Sequence, residues 1–201
     1  MHRLSVNYRE FNDNVDKLIN LESNLINLTP KYQKLVAEII LLRLFFVLEE
    51  TFSTIAGKLV CGAEYIDGSI PNSLITCRSI EKALDNMRTY GRGGTYHQLK
   101  WGKASEIKEN LRYILDANEN YIRTVDFHAS FIDELRKIRN RIAHNNSTTR
   151  IRYQIVVKRY YGANLNGITA GTLLLSPRRS PNLLQQYLIK AKILIKTMTK
   201  A

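Results

Sequence analysis

Apolar residues recur along the first 60 positions at helical spacing. From about Val6 to Asn27 they fall at Phe11, Val15, Leu18, Ile19, Leu25 and Ile26, which predicts an amphipathic helix. Thr29-Pro30 reads as an N-cap followed by proline at the first helical position. The helix it opens should run to about Val60. It is apolar nearly all round, as expected of the central member of a bundle. Residues 61–72, with two glycines and a proline, predict a loop. A further helix is expected from Ser73 to Tyr90, with Ile80, Leu84 and Met87 inward, ended by Gly91-Arg92-Gly93-Gly94. A short helix should follow over 105–117, carrying Ile107, Leu111 and Ile114.

The cleanest stripe comes next. Phe127, Phe131, Leu135, Ile138 and Ile142 are spaced 4, 4, 3 and 4 apart, which predicts one helix from Thr124, as N-cap, to His144. The period then changes. Ile151, Tyr153, Ile155 and Val157 alternate with Arg152, Gln154 and Val156, the pattern of a strand. Gly162 to Gly167 is turn-rich, and Ile168 to Leu175 is the natural partner strand. Ser180-Pro181 opens a last helix with Leu183, Leu184, Tyr187, Leu188, Ile193 and Leu194. The expected fold is all-α: one domain over 1–201, an up-and-down bundle with a helical insertion and a small β-hairpin before the last helix.

Charge changes the picture more than composition does. Residues 1–134 hold 16 Lys and Arg against all 18 acids, a net of −2, whereas residues 135–201 hold 14 Lys and Arg and no acid. A near-neutral body with a purely cationic end points to a polyanion, either nucleic acid or an anionic membrane surface. The last helix, with Lys190, Lys192, Lys196 and Lys200, has the charge for a membrane surface but no Trp or Phe anchor. The longest apolar run, Ile39 to Val47, is broken by Arg43, and the N-terminus shows no signal core. Cys61 and Cys77 form no metal or disulfide framework. A cytoplasmic protein with reduced thiols, no cofactor, no metal and no membrane partner is the expectation.

The cationic end contains Arg139, Asn140 and His144 in the run Arg-Asn-Arg-Ile-Ala-His. At about 100 degrees per residue, Asn140 and His144 share a helix face and Arg139 flanks it, all off the apolar stripe. These groups suit RNA cleavage. A histidine exchanges a proton with the ribose 2′-OH or the leaving 5′-oxygen, and an arginine holds the scissile phosphate. An asparagine orients either. The need for a 2′-OH selects RNA over DNA. Arg136, Arg141, Arg150, Arg152, Lys158 and Arg159, interleaved with Tyr153, Tyr160 and Tyr161, are the candidate RNA-binding residues. As a hairpin edge, the same charges would instead prevent edge-to-edge association.

Two weaker candidates remain. Glu49-Glu50, late in an apolar helix, either point into the cleft toward Arg139 and His144 or form a solvated patch. Gly91-Arg92-Gly93-Gly94 with Tyr96, His97 and Trp101 either binds phosphate and stacks a base or is a loop anchored by its tryptophan. His97 has no partner at ligand spacing.

The Arg139-Asn140-x-x-x-His144 run resembles the R-x4–6-H motif of the HEPN superfamily, including the polar residue after the arginine. The resemblance extends to a helical bundle with the motif late in the chain and one more helix behind it. It implies a metal-independent endoribonuclease leaving 2′,3′-cyclic phosphate ends. It also implies a homodimer with two motifs facing one cleft, acting as a toxin or anti-phage (abortive infection) effector, with an antitoxin or defence-system partner protein. A non-catalytic HEPN module that binds RNA or another protein is the alternative, and a helical accessory module of another enzyme is a third class. HEPN toxins paired with a nucleotidyltransferase antitoxin often carry tyrosine two residues after the histidine; Asn146 stands there.

Overall fold

A computed structural model describes residues 3–95 and 98–201. Among these are nine α-helices and no β-strand beyond one isolated bridge between Ser73 and Leu115. The helices are α1 (Leu4–Ser23), α2 (Pro30–Val60), α3 (Ile80–Thr89), α4 (Ala104–Leu111), α5 (Asn120–Phe127), α6 (Ala129–Ala143), α7 (Ser147–Tyr161), α8 (Ala170–Leu174) and α9 (Leu183–Met198). The chain is all-α, as the spacing of its apolar residues predicts.

The 31-residue α2 is the axis, and α1, α3, α6, α8 and α9 all lie against it. Pro30 stands in its first turn, where a missing N–H costs nothing. Its buried face includes Ile40, Leu44, Leu48, Phe52, Ile55 and Leu59, spaced by three or four. Phe11, Val15 and Leu18 of α1 and Leu184, Leu188 and Ile195 of α9 join one continuous apolar core with it. Two glycines permit close approaches to α2. A Cβ on Gly57 would sit 2.8 Å from Ile80 Cγ2, and one on Gly171 would sit 2.5 Å from the Lys34 carbonyl oxygen. No helix among the described residues is long and apolar enough to cross a membrane.

Four sequence expectations need correction. The β-hairpin is absent: residues 147–161 are helix α7, and 168–175 contains only the short α8. Capping and burial explain this. Asn146 accepts the Thr149 N–H at 2.9 Å at one end, and Gly162 closes the other at φ 78°. Thr149, Tyr153, Val156, Val157 and Tyr160 then share one buried face, which leaves Ile151 and Ile155 outside. Helical burial of that face overrides the β-preference of the alternating residues.

The helix expected from Thr124 to His144 is two helices meeting at His128. Thr124 is buried within α5 rather than capping it, and the break turns Phe127 outward, 83% exposed. The stripe is buried at Leu135 and Ile138, with Phe131 and Ile142 packed at its edge. Finally, α3 begins at Ile80, not Ser73. Ser79 caps it by accepting the Lys82 N–H at 3.2 Å, while the backbone at Leu74 is engaged with the Ile114 carbonyl at 2.9 Å. The last helix likewise starts two residues after Pro181, where Asn182 and Gln185 form a reciprocal capping box.

Candidate functional site

A cleft of about 770 Å³ opens between α2, the last two turns of α6 and the segment 98–102. Arg139, Asn140 and His144 all line it. His144 ends α6. Its N–H donates to the Asn140 carbonyl at 2.9 Å, yet its own backbone is extended (φ −136°, ψ 114°). Its carbonyl accepts the Thr149 hydroxyl at 2.6 Å, and that hydroxyl also lies 3.0 Å from the Asn146 carbonyl. Thr149 is buried, so the α6–α7 turn that presents His144 is fastened from within. Sequence reasoning missed Thr149; the Asn146-x-x-Thr149 cap spacing was the available signal.

Arg139 is held from two sides. Its Nη1 donates to Asn140 Oδ1 at 3.1 Å, and its guanidinium lies 5.5 Å from the centre of the Phe45 ring. The Asn140 side-chain oxygen is thus engaged by the arginine.

Glu49 and Glu50 both line this cleft; the structure supports the cleft-facing alternative for Glu49, whereas Glu50 is exposed to solvent. Glu49 is half-buried. Loss of solvent pushes its carboxyl above the usual range, opposed by Arg139 and then Arg136, with Glu106 adding a smaller upward push. Gly102 is closely confined here: a Cβ would lie 2.6 Å from Glu49 Oε1 and 2.8 Å from Phe45 Cζ, so the end of one of these side chains would have to shift. Trp101 lines the cleft but is 8% exposed, which matches an anchored loop better than a free stacking platform. Tyr96 and His97, named with it, lie outside the described residues.

The cleft itself is not uniformly basic. Lys100, Arg136 and Arg139 face Glu49, Glu50 and Glu106 within it. The cations concentrate in an adjoining groove of about 310 Å³, which shares Arg136 and Asn140 with the cleft and adds Lys103, Lys137 and Arg152 against the single acid Asp133. Of the predicted RNA-binding residues, Arg136 and Arg152 are thus brought to the motif. Arg141 donates to Asn145 Oδ1 at 2.7 Å beside it. Arg150 is exposed about 200 degrees round α7 from Arg152. Lys158 and Arg159 lie about 18 Å along α7 from its start, and Arg159 is paired with Glu134 at 3.0 Å. Replacing the hairpin by a helix separates the basic stretch into two groups.

Among the described residues, no three His, Cys, Asp or Glu side chains gather in a group able to hold a metal. Compared with protein-family models, curated proteins and solved structures, the chain matches none.

Proposed function

We propose that the protein is a metal-independent endoribonuclease of HEPN type. The observation that carries this reading is the convergence of Arg139, Asn140, His144 and Glu49 on one cleft, beside a groove lined by Lys103, Arg136, Lys137 and Arg152.

In the proposed reaction, RNA lies with its backbone along the groove. Arg139 binds the non-bridging oxygens of the scissile phosphate and offsets the charge that builds there. One of His144 and Glu49 takes the proton of the ribose 2′-OH as the 2′-oxygen attacks phosphorus; the other gives a proton to the departing 5′-oxygen. The products are a 2′,3′-cyclic phosphate and a 5′-hydroxyl. An acid and a base in one chain remove the chemical need for a second histidine.

A homodimer remains part of the proposal on a different ground. Tyr32, Leu35 and Ile39 form an exposed apolar row on α2, opposite its core face and leading toward Phe46 at the cleft. A second copy seated there would bring two clefts together. In the cell, the reading is a toxin or anti-phage effector restrained by a partner protein.

The test is incubation of the purified protein with total RNA in EDTA, beside His144→Ala. Wild type should cut and the variant should not. Equal cutting by both would remove the motif from the active site. RNA binding without cleavage by wild type would replace this reading with a non-catalytic RNA-binding module, to which the charge-balanced cleft lends support.

A further inference from the structure

A second cavity, of about 440 Å³, lies at the opposite end of α6 from the motif, between the α5–α6 junction, the second half of α7 and α9. Thirteen helical residues, about 20 Å, separate Phe131 in this cavity from His144.

Its rim is apolar. Phe127 is 83% exposed and Ile193 51%. Ile189, one turn before Ile193 on α9, is 49% exposed and carries the apolar surface beyond the cavity mouth. Behind them, the half-buried Phe131 and the buried Tyr187, 5.8 Å apart between ring centres, form the wall. Large apolar side chains grouped over a recess walled by aromatic rings have the anatomy of an interface pocket that takes an anchoring side chain.

The charge beside this rim has one sign. Arg159, Arg179 and Lys190 line the cavity with one acid, Glu134. Both oxygens of that acid are engaged: the Tyr187 hydroxyl donates to one and Arg159 to the other at 3.0 Å. Glu134 therefore balances Arg159 and leaves the other two cations. Among the described residues, neither Arg179 nor Lys190 is ion-paired. The Arg179 guanidinium is steadied 4.9 Å from the centre of the Tyr160 ring. Lys190 stands three residues before Ile193, so cation and apolar side chain are neighbours on the exposed side of α9.

Shape and chemistry together select the occupant. The recess is concave, so a flat bilayer does not reach Phe131 or Tyr187, whereas a protruding side chain does. Ile189 and Ile193 offer branched aliphatic carbon, which packs against Leu or an aromatic side chain but gives a nucleic-acid base no flat face to stack on. The two unpaired cations attract carboxylates. We infer that this groove docks an acidic amphipathic helix of a partner protein, its apolar side chains against Phe127, Ile189 and Ile193 and its carboxylates on Lys190 and Arg179. The groove is remote from the motif cleft, and the inference does not rest on the ribonuclease reading.

Two of the chain's four histidines report on the two sites separately. His128 lines this groove, edge-on to the Phe127 ring at 5.0 Å, and His144 lines the motif cleft. The probe is a capped synthetic helix with Leu and Trp on one face and Glu on the other. In imidazole NMR, with the resonances assigned from His128→Asn and His144→Ala, it should shift His128 saturably at concentrations that leave His144 unmoved. Ile193→Ser and Lys190→Glu, both at exposed positions, should each raise the concentration needed by about tenfold. The inference is overturned if the probe leaves His128 unmoved or moves both histidines alike. It is equally overturned if a version with Ser in place of Leu and Trp binds as well, or if both variants leave the titration unchanged. A uridine oligonucleotide or phosphatidylglycerol vesicles that move His128 where the probe does not would overturn it in favour of RNA or lipid. An inactive protein whose His128 responds to the probe would remove the cleft reading and leave this one standing.

Discussion

Arg139 and Asn140 are neighbours in sequence, about 100 degrees apart on α6, yet their side chains meet: Arg139 Nη1 donates to Asn140 Oδ1 at 3.1 Å. The asparagine and the Phe45 ring together limit where the guanidinium can swing. Asn140→Ala should lower cleavage about tenfold, chiefly as a higher KM, because phosphate meets an arginine that is no longer held. Arg139→Ala and His144→Ala should each lower it at least about 100-fold. All three lie off the buried face, so their melting temperatures should stay close to wild type. Steady-state kinetics and calorimetry on the same preparations check the set.

Thr149→Val keeps the shape of the side chain but deletes the hydroxyl that fastens His144 and Asn146. Loss of that buried hydrogen bonding should cost about 1–2 kcal/mol of stability and lower cleavage as His144 loses its seat. Thr149→Ser should restore both. Denaturant unfolding beside kinetics decides it; a valine variant with full activity would show that the turn needs no fastening.

Glu49 yields a prediction with a definite sign. Its folded pKa is raised, mainly by loss of solvent, so the native state holds a proton more tightly than the unfolded chain does. Stability from this group is complete below the unfolded pKa and is lost as pH rises through the folded pKa. Glu49→Gln removes that loss. The variant should therefore melt higher than wild type at neutral pH, with the gain shrinking as pH falls toward the ordinary carboxylate value. Its cleavage should drop, and the limb of the pH–rate profile belonging to the carboxyl should disappear. Melting curves from pH 4 to 8 with rates over the same range test both halves.

Gly102 is confined by Glu49 and Phe45. Gly102→Ala should displace one of them at a cost of about 1–3 kcal/mol. Because Phe45 also supports Arg139, cleavage should fall with stability. A tolerated alanine with unchanged kinetics would mean that the cleft wall yields freely.

Salt dependence separates the two basic groups. Each phosphate neutralised by the groove should contribute a log–log slope of about −0.7 with single-stranded RNA. Arg152→Ala should make the slope shallower by about that amount, and Arg150→Ala, on the other flank of α7, should leave it unchanged. Equal effects would show that RNA does not follow the groove. Light scattering in the same buffers tests the dimer: Tyr32→Ser and Ile39→Ser should convert a two-chain species to the 23.2 kDa chain.

The spacing of apolar residues was enough to determine the helical class, the length of α2 and the face of α6 that buries Leu135 and Ile138, because each of these depends on one local period. The same period placed Asn140 and His144 side by side. Tertiary structure decided what depends on distant partners. Alternation at Ile151–Val157 cannot by itself distinguish a strand from a helix; the choice fell to helix because capping by Asn146 and Gly162 coincides with a core that accepts Tyr153, Val156, Val157 and Tyr160. The outward turn of Phe127 required the break at His128, which the unbroken stripe concealed. Glu49 gained its character from burial against Gly102 and from two arginines nearly 90 residues away in sequence. Charge is legible as a total in any sequence, but its effect depends on distance, and only the fold set Arg152 beside the motif and Arg159 at the far end of α7.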